Sequence, residues 1–485
     1  MTKTSDRLTD PVWSGPQGGQ PVIVLGSFDL GPHGYVAEEW WIDGTARSWQ
    51  GSGDLGDDGH WNTKVESTCP FRTRIVVCRP DNAERFNGTT VVEWLNVSGG
   101  GDGSPDWFFL HRHLMRQGSA WVGVSAQKAG IDGGGFFESG MHLKAVDPAR
   151  YGVLSHPGDA FAFDIFSQTG KALRTDDGPL AGFLSETLLA VGESQSAMFL
   201  VTYVNAVDHH DQVYDGYLIH GRGSSGVSLD AQMLSTENNP TEGGVSVDSL
   251  ESAVSLFTGR QRIRADVRVP VMTVQSETDL VMMAGIRGRQ ADSERSCWWE
   301  IAGAAHFDTY GLIASQQDDG SLSPAELALL MRPVDEVFEM KATGLINSGP
   351  QQHYVLNAAL AHLEEWARNG TPPPHAPHIE NDTEDELVLL RDDFGIAKGG
   401  LRTPWVDVPV AVLSGQASEG EAFLPLFGST HPFDEARLEE LYPGGRSQYL
   451  EKFETRLDEA IEGGFILQAD RAEILSVAAS AYPMS

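Results

Sequence analysis

Residues Leu189–Leu200 read LAVGESQSAMFL, which sets Gly192-Glu193-Ser194-Gln195-Ser196 between an apolar run of strand type and one of helical type. A Gly-x-Ser-x-small turn between strand and helix lets the serine adopt a strained backbone conformation and carries its Oγ clear of the sheet. Such a hydroxyl becomes a nucleophile only when an imidazole takes its proton and a carboxylate fixes the tautomer of that imidazole. Both types follow in the chain: Glu277 and Asp279 in SETDLV after VPVMTVQ, and His306 in AAHFD after CWWEIAG. Singly, an Asp in a turn or a His in a loop is more often a structural residue. Together, in the order serine, acid, histidine and each just past an apolar run, they point to acyl transfer through a covalent intermediate.

That chemistry also needs two backbone N–H groups aimed at the developing oxyanion. Gln195, the residue after the serine, offers one. The loop NVSGGGDGS after VVEWLNV offers the second from Ser98 or Gly99, in a run to Gly101 where missing side chains permit close approach of a carbonyl. The same glycines do not make a phosphate loop, because no Gly-Lys-Ser/Thr follows. No G-x-G-x-x-G stands after a strand, DLGDDG at Asp54–Gly59 lacks calcium-loop spacing, and His209-His210-Asp211 reads as polar side chains facing water just past a helix. Neither a cofactor nor a metal is expected.

The elements that must hold these residues run from Phe71 to His306, where short β-type runs alternate with helical patterns. Strands are predicted at Thr73–Arg79, Val91–Val97, Ala120–Ala126, Leu188–Gly192, Tyr214–His220, Val269–Gln275 and Cys297–Gly303; several are almost continuously apolar, as strands covered on both faces must be. Helices are predicted at Trp107–Gln117, stopped by Gly118, and at Ser196–Val207, apolar nearly all round and therefore buried. Upstream, GYVAEEWWIDGTARSW reads as an antiparallel strand or hairpin. The expected architecture is an α/β-hydrolase fold: a mostly parallel central sheet with helices on both faces, over residues 1–330. Residues 221–266 read as a cap insertion whose Leu250, Val254, Leu256 and Phe257 would shape a pocket. Residues 331–485 read as an extension packed on that unit, with a helix at Gln352–Arg368 closed by Asn369-Gly370 and paired helices in DEARLEELYPGGRSQYLEKFETRLDEAIEGGF.

The 485 residues are 40% hydrophobic and 21% charged, which suits a globular enzyme rather than a disordered chain. A net charge of −34 repels nucleic acid and anionic membrane alike, so neither is expected as a partner. Cys69, Cys78 and Cys297 are too few and too scattered for a disulfide framework or a metal site. With no signal-type apolar segment at the start and no run near the ~18 residues of a membrane span, a cytoplasmic location is the expectation.

The stretches RFNGTTVVEWLNVSGG, YGVLSHPGDAFAFDIFSQTGKAL, GESQS, AGAAHFD, INSGPQQHYVLNAALAHLEEWARNGTPPP, GGLRTPWVDVPVA and LFGSTHPFD are spread along the chain from Arg85 to Asp434. In them it resembles the large bacterial proteins grouped as the alpha/beta hydrolase domain family, which are serine-esterase-like. The resemblance implies Ser194 as nucleophile, His306 as base, and an acid on either carboxylate of SETD, with Asp279 preferred and Glu277 the alternative. It makes Ser196, where glycine is usual, a habit of the family. The resemblance supplies no substrate; the expected reaction is hydrolysis of a hydrophobic or bulky small-molecule carboxylic ester through an acyl-enzyme. An acyltransferase with the same triad and a non-catalytic binding protein on the same fold are the alternatives. Dehalogenase and epoxide-hydrolase chemistry would place Asp where Ser194 stands. The acyl and alcohol halves and the oligomeric state are not fixed by the sequence.

Overall fold

The computed structural model describes residues 10–134, 139–231, 259–382, 387–417 and 423–483. Among these residues nine strands form one sheet: β1 (Val12–Ser14), β2 (Tyr35–Gly51), β3 (Thr63–Pro80), β4 (Thr89–Trp94), β5 (Ala120–Val124), β6 (Thr187–Glu193), β7 (Gly216–His220), β8 (Val271–Ser276) and β9 (Ser296–Ile301). Their order is β1-β2-β3-β5-β4-β6-β7-β8-β9. From β5 to β9 every pairing is parallel, whereas β1, β2 and β3 add antiparallel strands at one edge. All seven strands predicted between Phe71 and Gly303 are present, and GYVAEEWWIDGTARSW lies in β2, paired with β3.

Both faces of the sheet are covered, and the alternation of side chains along a strand divides the core in two. Val92 and Trp94 of β4, Leu188 and Ala190 of β6, and Ile219 of β7 face α2 (Ala162–Ala172) and α3 (Gln195–Ala206). Val91, Leu189, Val191 and Leu218 face α1 (Pro105–Gln117) and α4 (Gln351–Asn369). Every residue of α3 is buried, which explains why its sequence is apolar nearly all round. Helix α1 ends on Gly118 and α4 on Gly370, each in the left-handed region that terminates a helix at little cost to glycine.

Helix α4 lies in the same apolar cluster as the strands it covers, through Val355, Leu356, Leu360 and Leu363. Beyond it, α5 (Gly445–Glu462) and α6 (Arg471–Ala481) close a further cluster around Phe453, Leu457 and Ile474 that reaches back to Tyr354 of α4. The three cysteines are free thiols, two of them buried. Among the described residues no helix is long and apolar enough to cross a membrane. Leu250, Val254, Leu256 and Phe257 of the expected cap lie outside the described residues.

Candidate active site

Ser194 stands between β6 and α3 with φ 59° and ψ −119°. A serine in that backbone region is strained, and the surrounding bonds hold it there: its N–H donates to His220 O at 2.9 Å from the neighbouring strand β7. A Cβ at Gly192 would come within 3.1 Å of Ser196, so the turn closes only over small residues. Ser196, where glycine is usual, is fully buried, and its hydroxyl has no hydrogen-bond partner among the described residues.

Asp279 lies in the short helix Glu277–Val281 that follows β8. Its N–H donates to Ser276 Oγ, while its Oδ2 accepts the Ser276 N–H at 2.6 Å. This reciprocal cap fixes the carboxylate and leaves Oδ1 directed at His306 Nδ1, 2.5 Å away. His306, in the loop after β9, is held by its backbone: its N–H donates to Thr278 Oγ1 and its carbonyl accepts from Gln352 of α4. The ring rests against Gly221, where a Cβ would stand 3.2 Å from it and where φ is +63°. Gly221→Ala is therefore expected to cost about 1–2 kcal/mol of stability and, by displacing the ring a few tenths of an ångström, on the order of tenfold in kcat. An unfolding midpoint and a kcat equal to those of the unaltered protein would refute this.

Glu277, the alternative acid, is directed elsewhere. Fully buried, it accepts from Gly303 N at 2.6 Å with one oxygen, and from Arg391 Nη2 at 3.0 Å and Gly415 N at 3.1 Å with the other. It ties the loop preceding His306 to two segments of the C-terminal region.

Sequence reasoning missed Glu193. Its Oε1 lies 2.9 Å from His306 Nε2, so the imidazole sits between two carboxylates. Asn96 Nδ2 donates to Glu193 Oε2 and to its backbone oxygen and so orients it. Burial alone would lower the pKa of His306, but Glu193 and Asp279 outweigh it and hold the ring up at about 10. The glutamate was visible in GESQS; that the last side chain of β6 turns toward a histidine 113 positions later was not.

A second buried pair lies behind the serine, and it too escaped the sequence. His220 Nδ1 meets Asp106 Oδ1 at 2.9 Å, and Glu93 accepts the N–H groups of Asp106 and Trp107 and the indole N–H of Trp121. Burial pushes the Asp106 and Glu93 carboxyls up, whereas His220, despite burial, is held up by its bond to Asp106.

In the glycine loop, Ser98 N–H donates to Asn96 Oδ1 at 2.8 Å and Val97 N–H to the Gln195 side chain at 3.3 Å. The amide of Ser98 is thus taken up inside the loop. Gly99 faces open space, and a Cβ there would meet nothing within 4 Å. Gln195 opens α3, where the first N–H groups of a helix have no carbonyl partner of their own.

Asn96, Ser98, Gly99, Glu193, Ser194, Gln195 and His306 line one pocket of about 980 Å³. Much of the remaining wall is apolar, from Ile23, Phe108, Met198, Phe307, Leu426 and Phe427 among others. Among the described lining residues none is Lys or Arg. His209 and His210 lie apart from it and bond to Arg264 and Thr63, and no group of three residues suited to a metal ion occurs among the described residues.

No curated protein matches the chain. Among solved structures, an esterase from Rhizomucor miehei is 10% identical over 57% of this chain and 77% of its own, with a TM-score of 0.28. A cell-wall-degrading esterase from Xanthomonas oryzae is 12% identical over 55% and 84%, with a TM-score of 0.29. A hyperthermophilic esterase from the archaeon Pyrobaculum calidifontis is 13% identical over 54% and 74%, with a TM-score of 0.25. The family described as "Alpha/beta hydrolase domain" matches residues 7–476. A strained serine after β6, an acid after β8 and a histidine after β9 of a mostly parallel sheet agree with that match, and the chain belongs to the alpha/beta hydrolase domain family.

Proposed function

We propose that the protein hydrolyses carboxylic esters with a hydrophobic or bulky component through an acyl-enzyme on Ser194. The observation that carries this reading is the 2.5 Å contact of buried Asp279 with Nδ1 of His306, which lines the same pocket as the strained Ser194. Asp279 keeps the Nδ1 proton in place, so Nε2 is the atom that accepts the serine proton as Oγ attacks the ester carbonyl. The oxyanion is received by the N–H groups of Gln195 and Gly99, while Ser98 is left out because Asn96 engages its amide. His306 then protonates the leaving alcohol, and in the second half-reaction it deprotonates the water that releases the acid. The apolar wall, which carries no Lys or Arg among its described residues, favours a neutral ester. The test is covalent labelling by a fluorophosphonate, with the adduct mapped by mass spectrometry, beside turnover of simple esters. Labelling at Ser194 together with turnover supports the reading; an unlabelled and inactive folded protein refutes it.

For Nε2 to act as a base, Glu193 has to release it. In the resting site the ring is protonated up to about pH 10, so the base form of the free enzyme grows as pH rises. Removal of one carboxylate lowers the pKa of the ring. Glu193→Gln is therefore expected to move the acid limb of kcat/KM to lower pH, with a gain of roughly tenfold near pH 7 for each unit moved. The contribution of the pair to stability has the opposite slope: it is complete below the ordinary histidine value and fades as pH climbs toward 10. A limb that stays in place in Glu193→Gln refutes the assignment.

A further inference from the structure

The pocket does not end flush with the surface. Of the large apolar side chains that the described surface exposes most, four stand in its wall: Phe338 at 69%, Met141 at 60%, Val24 at 52% and Val146 at 48%. They come from three separate parts of the chain, and scattered exposed apolar residues would not be expected to collect around one opening.

Phe338 is the most conspicuous of them. Glu336–Val337 and Met340–Lys341 pair as a two-residue hairpin, so Phe338 and Glu339 form its tip. Both have positive φ, 50° and 63°. A turn of that shape ordinarily takes Asn-Gly, and a phenylalanine in the left-handed region is an outlier that a sequence adopts only when its surroundings impose it. The base of the hairpin imposes it: Val337 is buried and Met340 partly buried in the cluster that also holds Phe427, Leu426 and Phe307, the residue after His306. The hairpin is thus anchored on the inner wall of the pocket while its aromatic tip projects into solvent at the mouth.

From this we infer that Phe338 is a specificity-determining residue, which closes over the outer, apolar part of an ester too long for the inner pocket. This rests on the ester-hydrolase reading and adds a substrate class to it: neutral esters with an extended hydrocarbon portion. The occupant is the substrate itself, because the exposed apolar residues are continuous with a wall that leads to Ser194, and because no Lys or Arg among the described lining residues offers a partner to an anionic group. An exposed ring loses contact with water when a hydrocarbon chain lies against it, and a short ester leaves it uncovered.

The experiment compares kcat/KM for p-nitrophenyl acetate and p-nitrophenyl decanoate, the latter kept below its solubility limit. The variants are Phe338→Ala, Phe338→Leu and, as a control, Leu184→Ala, an exposed residue outside the pocket wall. Phe338→Ala is expected to lower the decanoate-to-acetate ratio about tenfold. Phe338→Leu should keep most of the preference, Leu184→Ala all of it, and unfolding midpoints should agree throughout. An unchanged ratio in Phe338→Ala overturns the inference while hydrolysis of acetate still upholds the reading beneath it. Hydrolysis of acetate with no wild-type hydrolysis of dissolved decanoate also overturns it. No hydrolysis of either ester and no fluorophosphonate adduct mean that the ester-hydrolase reading has failed, and the inference with it.

Discussion

Ser194→Ala is expected to lower kcat for ester hydrolysis by about 10⁵–10⁶ and to abolish fluorophosphonate labelling, with the fold intact. The loss follows from the division of labour: without Oγ no acyl-enzyme forms, and only binding and the oxyanion N–H groups remain, worth roughly 10³–10⁴ over water. His306→Ala should fall to a similar level. The double variant should be little worse than either single one, because a nucleophile without its base and a base without its nucleophile are equally idle. Stability should change little in Ser194→Ala, since alanine bears the same backbone strain and the lost hydroxyl faces the pocket. Rapid single-turnover assays with unfolding curves check both halves. A correctly folded Ser194→Ala that turns over esters at the wild-type rate would overturn the proposed reaction.

Asp279→Asn is expected to lower kcat about 10⁴-fold, because an amide in place of the carboxylate favours the wrong imidazole tautomer and cannot stabilise the imidazolium. Its fold should survive, for Asn can still accept the Ser276 N–H that Asp279 Oδ2 accepts now. Glu277→Gln should behave in the opposite manner. Its carboxylate is buried against Arg391 and two backbone N–H groups, so neutralising it leaves a guanidinium without its counter-charge and costs about 3 kcal/mol of stability. At temperatures where that variant is folded, kcat should lie within about tenfold of the parent, the residual effect coming from the Gly303 segment ahead of His306. Measured side by side, the two variants separate a lost reaction from a lost fold. The reverse ranking in kcat, with both proteins folded, would transfer the role of the acid to Glu277.

Much of the framework was legible in the chain because it rests on local patterns. Apolar runs such as LLAVG and VPVMTVQ must be covered on both faces, helical spacing in WFFLHRHLMRQ must lie against them, and the breaks between them mark where functional side chains emerge. That logic located the strands and the turn at Ser194, and the order serine, acid, histidine singled out Ser194, His306 and the SETD segment. Only the family resemblance preferred Asp279 to Glu277; local pattern does not separate two carboxylates that stand two positions apart on one short helix. The choice of partner depends on the cap with Ser276, which aims Asp279 at His306, and on Gly303, Arg391 and Gly415, which claim Glu277 from distant parts of the chain. Nor could it find that Glu193 meets Nε2, that Asp106 and His220 pair behind the serine, or that a hairpin from residues 336–341 reaches the mouth of the pocket. The period of hydrophobicity therefore determined which elements exist and which ends of them hold the candidate site residues. Which carboxylate faces which imidazole was decided by tertiary structure, because an ion pair between residues a hundred positions apart depends on the direction of side chains across strands, and no local pattern encodes that direction.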